Sequence, residues 1–265
     1  MMQHLASLER RARIRIALWL VSSAATVAFA LHVGRQSRAL GLLLLATFAV
    51  TQLPSALRQL RLRRTLRSGD LGKVLQAYHP TLARLPHPET LGPLMVAAAL
   101  AAHGMVDRAR RALDRAVRGE AWEAALEHRW FVETLMEAFD GDRGRAVERA
   151  ESLEKLPLPA GSGPLQKRVA MLRAALTALA RAFARCPRQG DAEMLEAASD
   201  NSPLVHWAMR YGAIVAYLER GERERARRLL ADAPHWPADS AFRGFQEELT
   251  GLATPTPAPS SSASA

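Results

Sequence analysis

Hydrophobic and polar positions change their pattern once along this chain, near residue 67. Before it, Ile16 to Val33 is eighteen residues without a charged side chain, and Ala39 to Leu57 is nineteen, including the run Leu42-Leu43-Leu44-Leu45. Each run is apolar around most of a helical circumference, so neither has the wet face of a surface helix. At 1.5 Å per residue an eighteen-residue helix is roughly 27 Å long, close to the ~30 Å hydrocarbon core of a bilayer. The connector Gly34-Arg35-Gln36-Ser37-Arg38 is short enough to join antiparallel neighbours, and Gly34 suits a helix end. Pro54 lies near the far end of the second run, where a kink is tolerated. The expectation is a two-helix transmembrane hairpin, with helices over about 14–33 and 39–57, inside a segment spanning 1–67.

After residue 67 apolar residues recur at intervals of three and four, without sustained strand alternation. Helices are expected near Leu71–Tyr78, Glu89–His103, Val106–Arg118, Ala121–Phe139, Arg143–Leu156, Pro164–Ala184, Asp191–Ala198, Leu204–Arg220, Glu222–Ala231 and Ser240–Leu249. Breakers separate them at His79-Pro80, Pro86–Pro88, Gly141, Pro157–Gly163, Pro187–Gly190, Ser202-Pro203 and Pro234–Pro237. Residues 68–252 therefore read as one all-α domain of stacked helix pairs. Residues 253–265 are Ala, Thr, Pro and Ser without a charge, a composition expected to stay disordered.

Charge orients the hairpin. Arg10, Arg11, Arg13 and Arg15 precede it, and Arg58, Arg61, Arg63, Arg64 and Arg67 follow it, while the turn carries only Arg35 and Arg38. Basic residues are retained on the cytoplasmic side, so both termini are expected there, in a multi-pass protein of the cell (inner) membrane. Ala28-Phe29-Ala30 looks like a cleavage site after an apolar run, but the second run and its basic flank favour the hairpin. The competing arrangement is a soluble hairpin enclosed by the later helices. Ser22, Thr26 and Ala30 recur every fourth residue, a spacing that lets helices approach closely, either within the hairpin or between copies of the chain.

The formal charge of +10 would suggest nucleic acid, yet the excess is local. Residues 1–67 hold eleven arginines and one acid, Glu9; the remainder holds twenty-five bases and twenty-five acids. The domain thus has no net basic footprint for phosphate backbones, and no nucleic-acid partner is expected. The lone Cys186 excludes an internal disulfide and a cysteine-rich zinc site. Arginine outnumbers lysine thirty-three to three, a bias associated with high-GC bacterial genomes.

A repeat shows through the helix pairs. Gly104 is followed at offsets five, nine and twelve by Ala109, Leu113 and Ala116; Gly221 is followed at the same offsets by Ala226, Leu230 and Ala233. Gly141 with Ala146, Ala150 and Leu153, and Gly69 with Val74 and Tyr78, are weaker copies. A glycine makes the tight turn, and a small residue one turn later lets the second helix close on the first. Val96–Ala116 and Ala213–Ala233 in this register resemble the tetratricopeptide repeat, whose period is about 34 residues. Tyr217, four residues before Gly221, and Trp130, eleven before Gly141, stand at aromatic positions of that family; residues 157–201 depart from it. The resemblance implies an alpha-solenoid with a concave surface of first helices, on which Leu94, Ala98, Phe131, Leu135, Tyr211 and Val215 would meet a partner.

Motifs of chemistry are missing from the sequence. It has no HExxH, no lysine-bearing phosphate loop and no Gly-x-Ser-x-Gly elbow, and its eight histidines are scattered. Glu123, Glu127 and His128 share a helix but read as a solvated face. No catalytic residue, metal or cofactor is expected. The function expected is a membrane-anchored, TPR-like protein–protein interaction scaffold whose partners are the lipid bilayer and an unidentified protein. The alternatives are a self-assembling structural membrane component, as a homo-oligomer, or an enzyme whose site the sequence does not reveal.

Overall fold

A computed structural model describes residues 57, 60–82, 84–161 and 163–254. The proposed hairpin, with Ser22, Thr26 and Ala30, and Arg10, Arg11, Arg13, Arg15 and Arg58 of its flanks, lies outside them, as does most of the tail. Among the described residues no helix is long and apolar enough to cross a membrane, and every regular element is a helix.

The described residues fall into two compact units, one holding residues 57, 60–63, 158–161 and 163–168, the other residues 64–82, 84–157 and 169–254. In the first, the Gln166 amide donates to the Pro159 carbonyl at 3.3 Å. The second holds the core.

The chain is helical over residues 60–67. There follow α1 (Leu71–Leu82), α2 (Pro88–Ala101), α3 (Val106–Asp114), α4 (Glu120–Ala124), α5 (Leu126–Asp140), α6 (Arg143–Lys155), α7 (Gly163–Phe183), α8 (Asp191–Asn201), a 3-10 turn (Pro203–Val205), α9 (His206–Glu219), α10 (Arg223–Leu230) and α11 (Ala241–Ala253). Neighbours in sequence pair in space: α2 with α3, α5 with α6, α8 with α9, and α9 with α10.

The two glycines at the strongest repeat positions make the same turn. Gly104 has φ +72° and Gly221 φ +77°. At the first, Met105 N donates to Leu100 O at 3.0 Å and Gly104 N to Ala101 O at 3.0 Å; at the second, Glu222 N donates to Tyr217 O at 2.9 Å and Gly221 N to Leu218 O at 3.0 Å. This nested pair of bonds satisfies the last helical carbonyls and requires a left-handed residue, which glycine adopts without strain. The alanines five residues on, Ala109 and Ala226, are fully buried. Gly141 differs: its φ of −150° is extended, so the weaker sequence copy there is not a copy of this turn.

Three boundaries depart from the sequence reading. The break expected at His79-Pro80 is absent, because Pro80 stands in the last turn of α1. The single helix expected over Ala121–Phe139 is two. Arg129 Nη1 donates to the Trp122 carbonyl at 3.2 Å, and its guanidinium lies 4.3 Å over the Trp122 ring. That arginine takes the carbonyl an unbroken helix would give to Leu126, and the chain bends at Ala125 (φ −89°, ψ 16°). At the C-terminus, α11 runs to a buried Ala253 rather than fraying at it.

The core is joined by aromatic rings. Phe139 meets Phe183 at 5.2 Å and Phe242 at 5.1 Å; Phe242 meets Tyr211 at 4.9 Å and Trp236 at 5.0 Å; Phe183 meets Phe245 at 5.1 Å. Most contacts are edge-to-face, the arrangement that ring quadrupoles favour. These rings come from α5, α7, α9 and the segment 236–245, so the C-terminal segment is part of the core. It also closes on the first helix pair: Ala241 N donates to Gly104 O at 2.9 Å, and Ser240 Oγ to His103 O at 2.8 Å.

Buried charge ties the remaining helices together. Arg173 on α7 donates to Glu127 Oε1 at 2.9 Å and to the carbonyls of Leu156 at 2.6 Å and Pro157 at 3.3 Å, which end α6. Arg181 grips Asp191 through two bonds of 2.9 and 2.6 Å, fixing α7 to the start of α8.

Candidate functional site

The six residues expected to line a concave partner surface do not form an open one. Leu94, Leu135, Tyr211 and Val215 are buried, while Ala98 and Phe131 are half-buried and packed against the core. For Tyr211 and Val215 the reason is the return of the C-terminal segment. The Trp236 indole donates to the Tyr211 hydroxyl at 2.7 Å, and burial raises that phenol to about 12. Phe245 and Leu249 of α11 line the same small cavity as Val215. Side chains that an open stack would offer to a partner are covered by the chain itself.

Of the arginines expected to orient the membrane segment, Arg61, Arg63 and Arg64 are exposed. Arg67 instead docks on the domain. Its guanidinium donates to the Asp200 carbonyl, and its own carbonyl accepts the Trp207 indole N–H at 2.8 Å.

A further recess is formed where α1 meets the first helix pair. Leu75 of α1, Val96 and Leu100 of α2, Arg108 and Arg111 of α3, and Arg115 just past its end line a cavity of about 220 Å³. Local sequence explains the arrangement. Residues 108, 111 and 115 are spaced three and four apart, so they share one helical face, and Asp107 and Asp114, four before and three after Arg111, border that same face. Arg108 meets Asp239 at 3.7 Å. Arg111 and Arg115 are exposed and have no carboxylate within ion-pair distance among the described residues. Most arginines of this charge-balanced domain are paired, as Arg110 is with Asp107 and Asp140. The groove therefore combines an apolar floor with uncompensated positive charge. Three arginines on one helix face carry no mark of a site in the sequence alone; only the position of α1 turns that face into a rim.

A second cavity of about 360 Å³ lies between α5 and α6, lined by Glu133, Glu137, Asp142, Arg145 and Arg149 among others. Its charges are only partly satisfied, since Glu137 Oε2 is buried without a hydrogen-bond partner. Arg149 bridges Glu133 at 3.1 Å and Glu137 at 2.9 Å. Burial raises the Glu137 carboxyl above its ordinary value, against the pull of Arg149. Glu123 and Glu127, noted on one helix, are taken by Arg129 at 3.5 Å and by Arg173. Among the described residues no three His, Cys, Asp or Glu side chains are placed to hold a metal ion.

No protein family, curated protein or solved structure matches this chain. The functional reading rests on its own residues.

Two buried histidines give the domain a pH dependence. His103 Nδ1 lies 2.7 Å from Ala99 O and His206 Nδ1 2.8 Å from Ser199 O, so each donates there as the neutral ring. Burial lowers both rings below the usual histidine value, outweighing the carbonyls; Arg67 and Arg210 lower His206 further. The unfolded chain therefore takes up these protons at higher pH than the folded one. The stability they govern is complete above about pH 6.5 and is lost as pH falls from there toward the lower folded values, by up to about 1.4 kcal/mol per pH unit per ring. Urea midpoints should drop between pH 7.5 and 5.5, on the order of those two conditions, and the drop should shrink when both histidines are replaced by glutamine.

Proposed function

We propose that this chain is a membrane-tethered scaffold: a hairpin in the bacterial inner membrane carries a helical domain that binds another protein on the cytoplasmic side. The observation that carries the reading is the groove of α1, α2 and α3, where Arg111 and Arg115 stand uncompensated over Leu75, Val96 and Leu100. Uncompensated charge beside a recessed apolar floor is stable in isolation but gains when a complementary surface covers it. The tether is supported by the two uncharged runs and the arginines at their outer ends. A tether of this kind raises the local concentration of a weak binder. The matched turns at Gly104 and Gly221, each with a buried alanine five residues on, support descent from a TPR-like helical repeat. In this reading the ancestral inner surface is filled by the C-terminal segment, and binding has moved to the outer face of the first pair.

The test is chemical cross-linking in membranes followed by affinity purification. The full chain is compared with a hairpin-only fragment and with the full chain carrying Arg111→Glu and Arg115→Glu. A partner protein should be recovered with the full chain, be absent with the hairpin alone, and fall sharply with the charge reversals. Identical recovery with all three would contradict the reading.

A further inference from the structure

We propose that the groove of α1, α2 and α3 takes an acidic amphipathic segment of its partner: an apolar side chain enters between Leu75, Val96 and Leu100, and carboxylates beside it meet Arg108, Arg111 and Arg115. This rests on the scaffold reading and adds the chemistry of the partner.

Three observations select this occupant. The cavity is about 220 Å³, below the ~300–1,000 Å³ usual for small-molecule sites but enough for an apolar side chain. Its floor is recessed, so a flat bilayer surface would meet the arginines and leave the apolar residues uncovered. The three guanidiniums lie on one face of one helix, at offsets of three and seven residues. A helix laid alongside α3 carries its own side chains at the same spacing, so its carboxylates would match the arginines in register. Guanidinium–carboxylate pairs are directional and often bidentate, which favours carboxylates over a diffuse negative surface. Two of the three charges are unspent within the molecule: Arg111 and Arg115 have no carboxylate partner among the described residues, while Arg108 is paired with Asp239 at 3.7 Å.

The experiment uses the full chain in its native membranes, with the photoreactive residue p-benzoylphenylalanine in place of Val96 in the groove wall or, as a comparison outside the groove, in place of Val117. Cross-linked products are identified by mass spectrometry. The expected result is capture at Val96, and not at Val117, of a protein segment with at least two carboxylates within a helical turn or two of the captured residue. Arg111→Gln with Arg115→Gln, which removes charge from exposed positions without adding any, should lower that capture by about tenfold or more. An unchanged thermal midpoint shows that the variant is folded. Capture of lipid alone, of a basic or neutral segment, or of nothing would overturn the proposal. So would capture that ignores the two substitutions. If the affinity purification still recovers a partner through the domain in any of these cases, the scaffold reading survives and only the groove assignment falls. If the domain recovers no partner at all, both fall.

Discussion

Arg173→Ala is expected to cost about 1–3 kcal/mol of unfolding free energy. The side chain is 4% exposed. It reaches three acceptors: Glu127 and the carbonyls of Leu156 and Pro157. Removing it takes a buried side chain out of the packing and leaves three acceptors, of which Glu127 is 35% exposed and Pro157 is exposed, to find water instead. Glu127→Gln keeps an acceptor opposite the guanidinium and should cost much less. Arg188→Ala, which removes an exposed pair with Glu151 at 3.8 Å, should be close to neutral. Urea denaturation of the three variants measures this ranking. An Arg173→Ala midpoint no lower than that of Arg188→Ala would show that the buried arginine does not hold α5, α6 and α7 together.

The domain's helices were legible in the sequence because each carries its own local signals. Apolar residues recur at three and four, and glycine or proline stands between the segments. The turns at Gly104 and Gly221 share alanine, leucine and alanine at offsets five, nine and twelve, whereas Gly141, which has only the alanine at the fifth in common, is extended. What was not legible involved residues far apart. The bend at Ala125 depends on a side chain, Arg129, that competes for a backbone carbonyl. Tyr211 and Val215 carry the periodicity of an inner face, but nothing near them says that residues 234–253 will return to cover it. The segment that does so, Pro234 to Pro237, reads as a breaker, yet Trp236 within it is among the most buried side chains of the domain. Likewise Arg108, Arg111 and Arg115 look like a wet helix face until Leu75, more than thirty residues earlier, is placed beside them.

The central structural claim is that closure: the C-terminal segment packs on the Gly104 turn and over Tyr211 and Val215. Gly104 and Gly221 offer a matched test. Both are left-handed, at φ +72° and +77°, so alanine meets the same backbone penalty at each, about 1–2 kcal/mol. They differ in what a Cβ would touch. At Gly221 nothing lies within 4 Å; at Gly104 a Cβ would fall 2.8 Å from Ser240 Oγ and 2.9 Å from the Phe242 ring. Phe242 is fully buried among Tyr211, Trp236 and Phe139, and its ring cannot step aside without disturbing them. Overpacking of this kind adds about 1–3 kcal/mol. The decisive measurement is the unfolding free energy of Gly104→Ala against that of Gly221→Ala in the same protein. Closure predicts that Gly104→Ala costs about 1–3 kcal/mol more; equal losses at the two turns would mean that Ser240 and Phe242 do not sit there, and that the inner face is open.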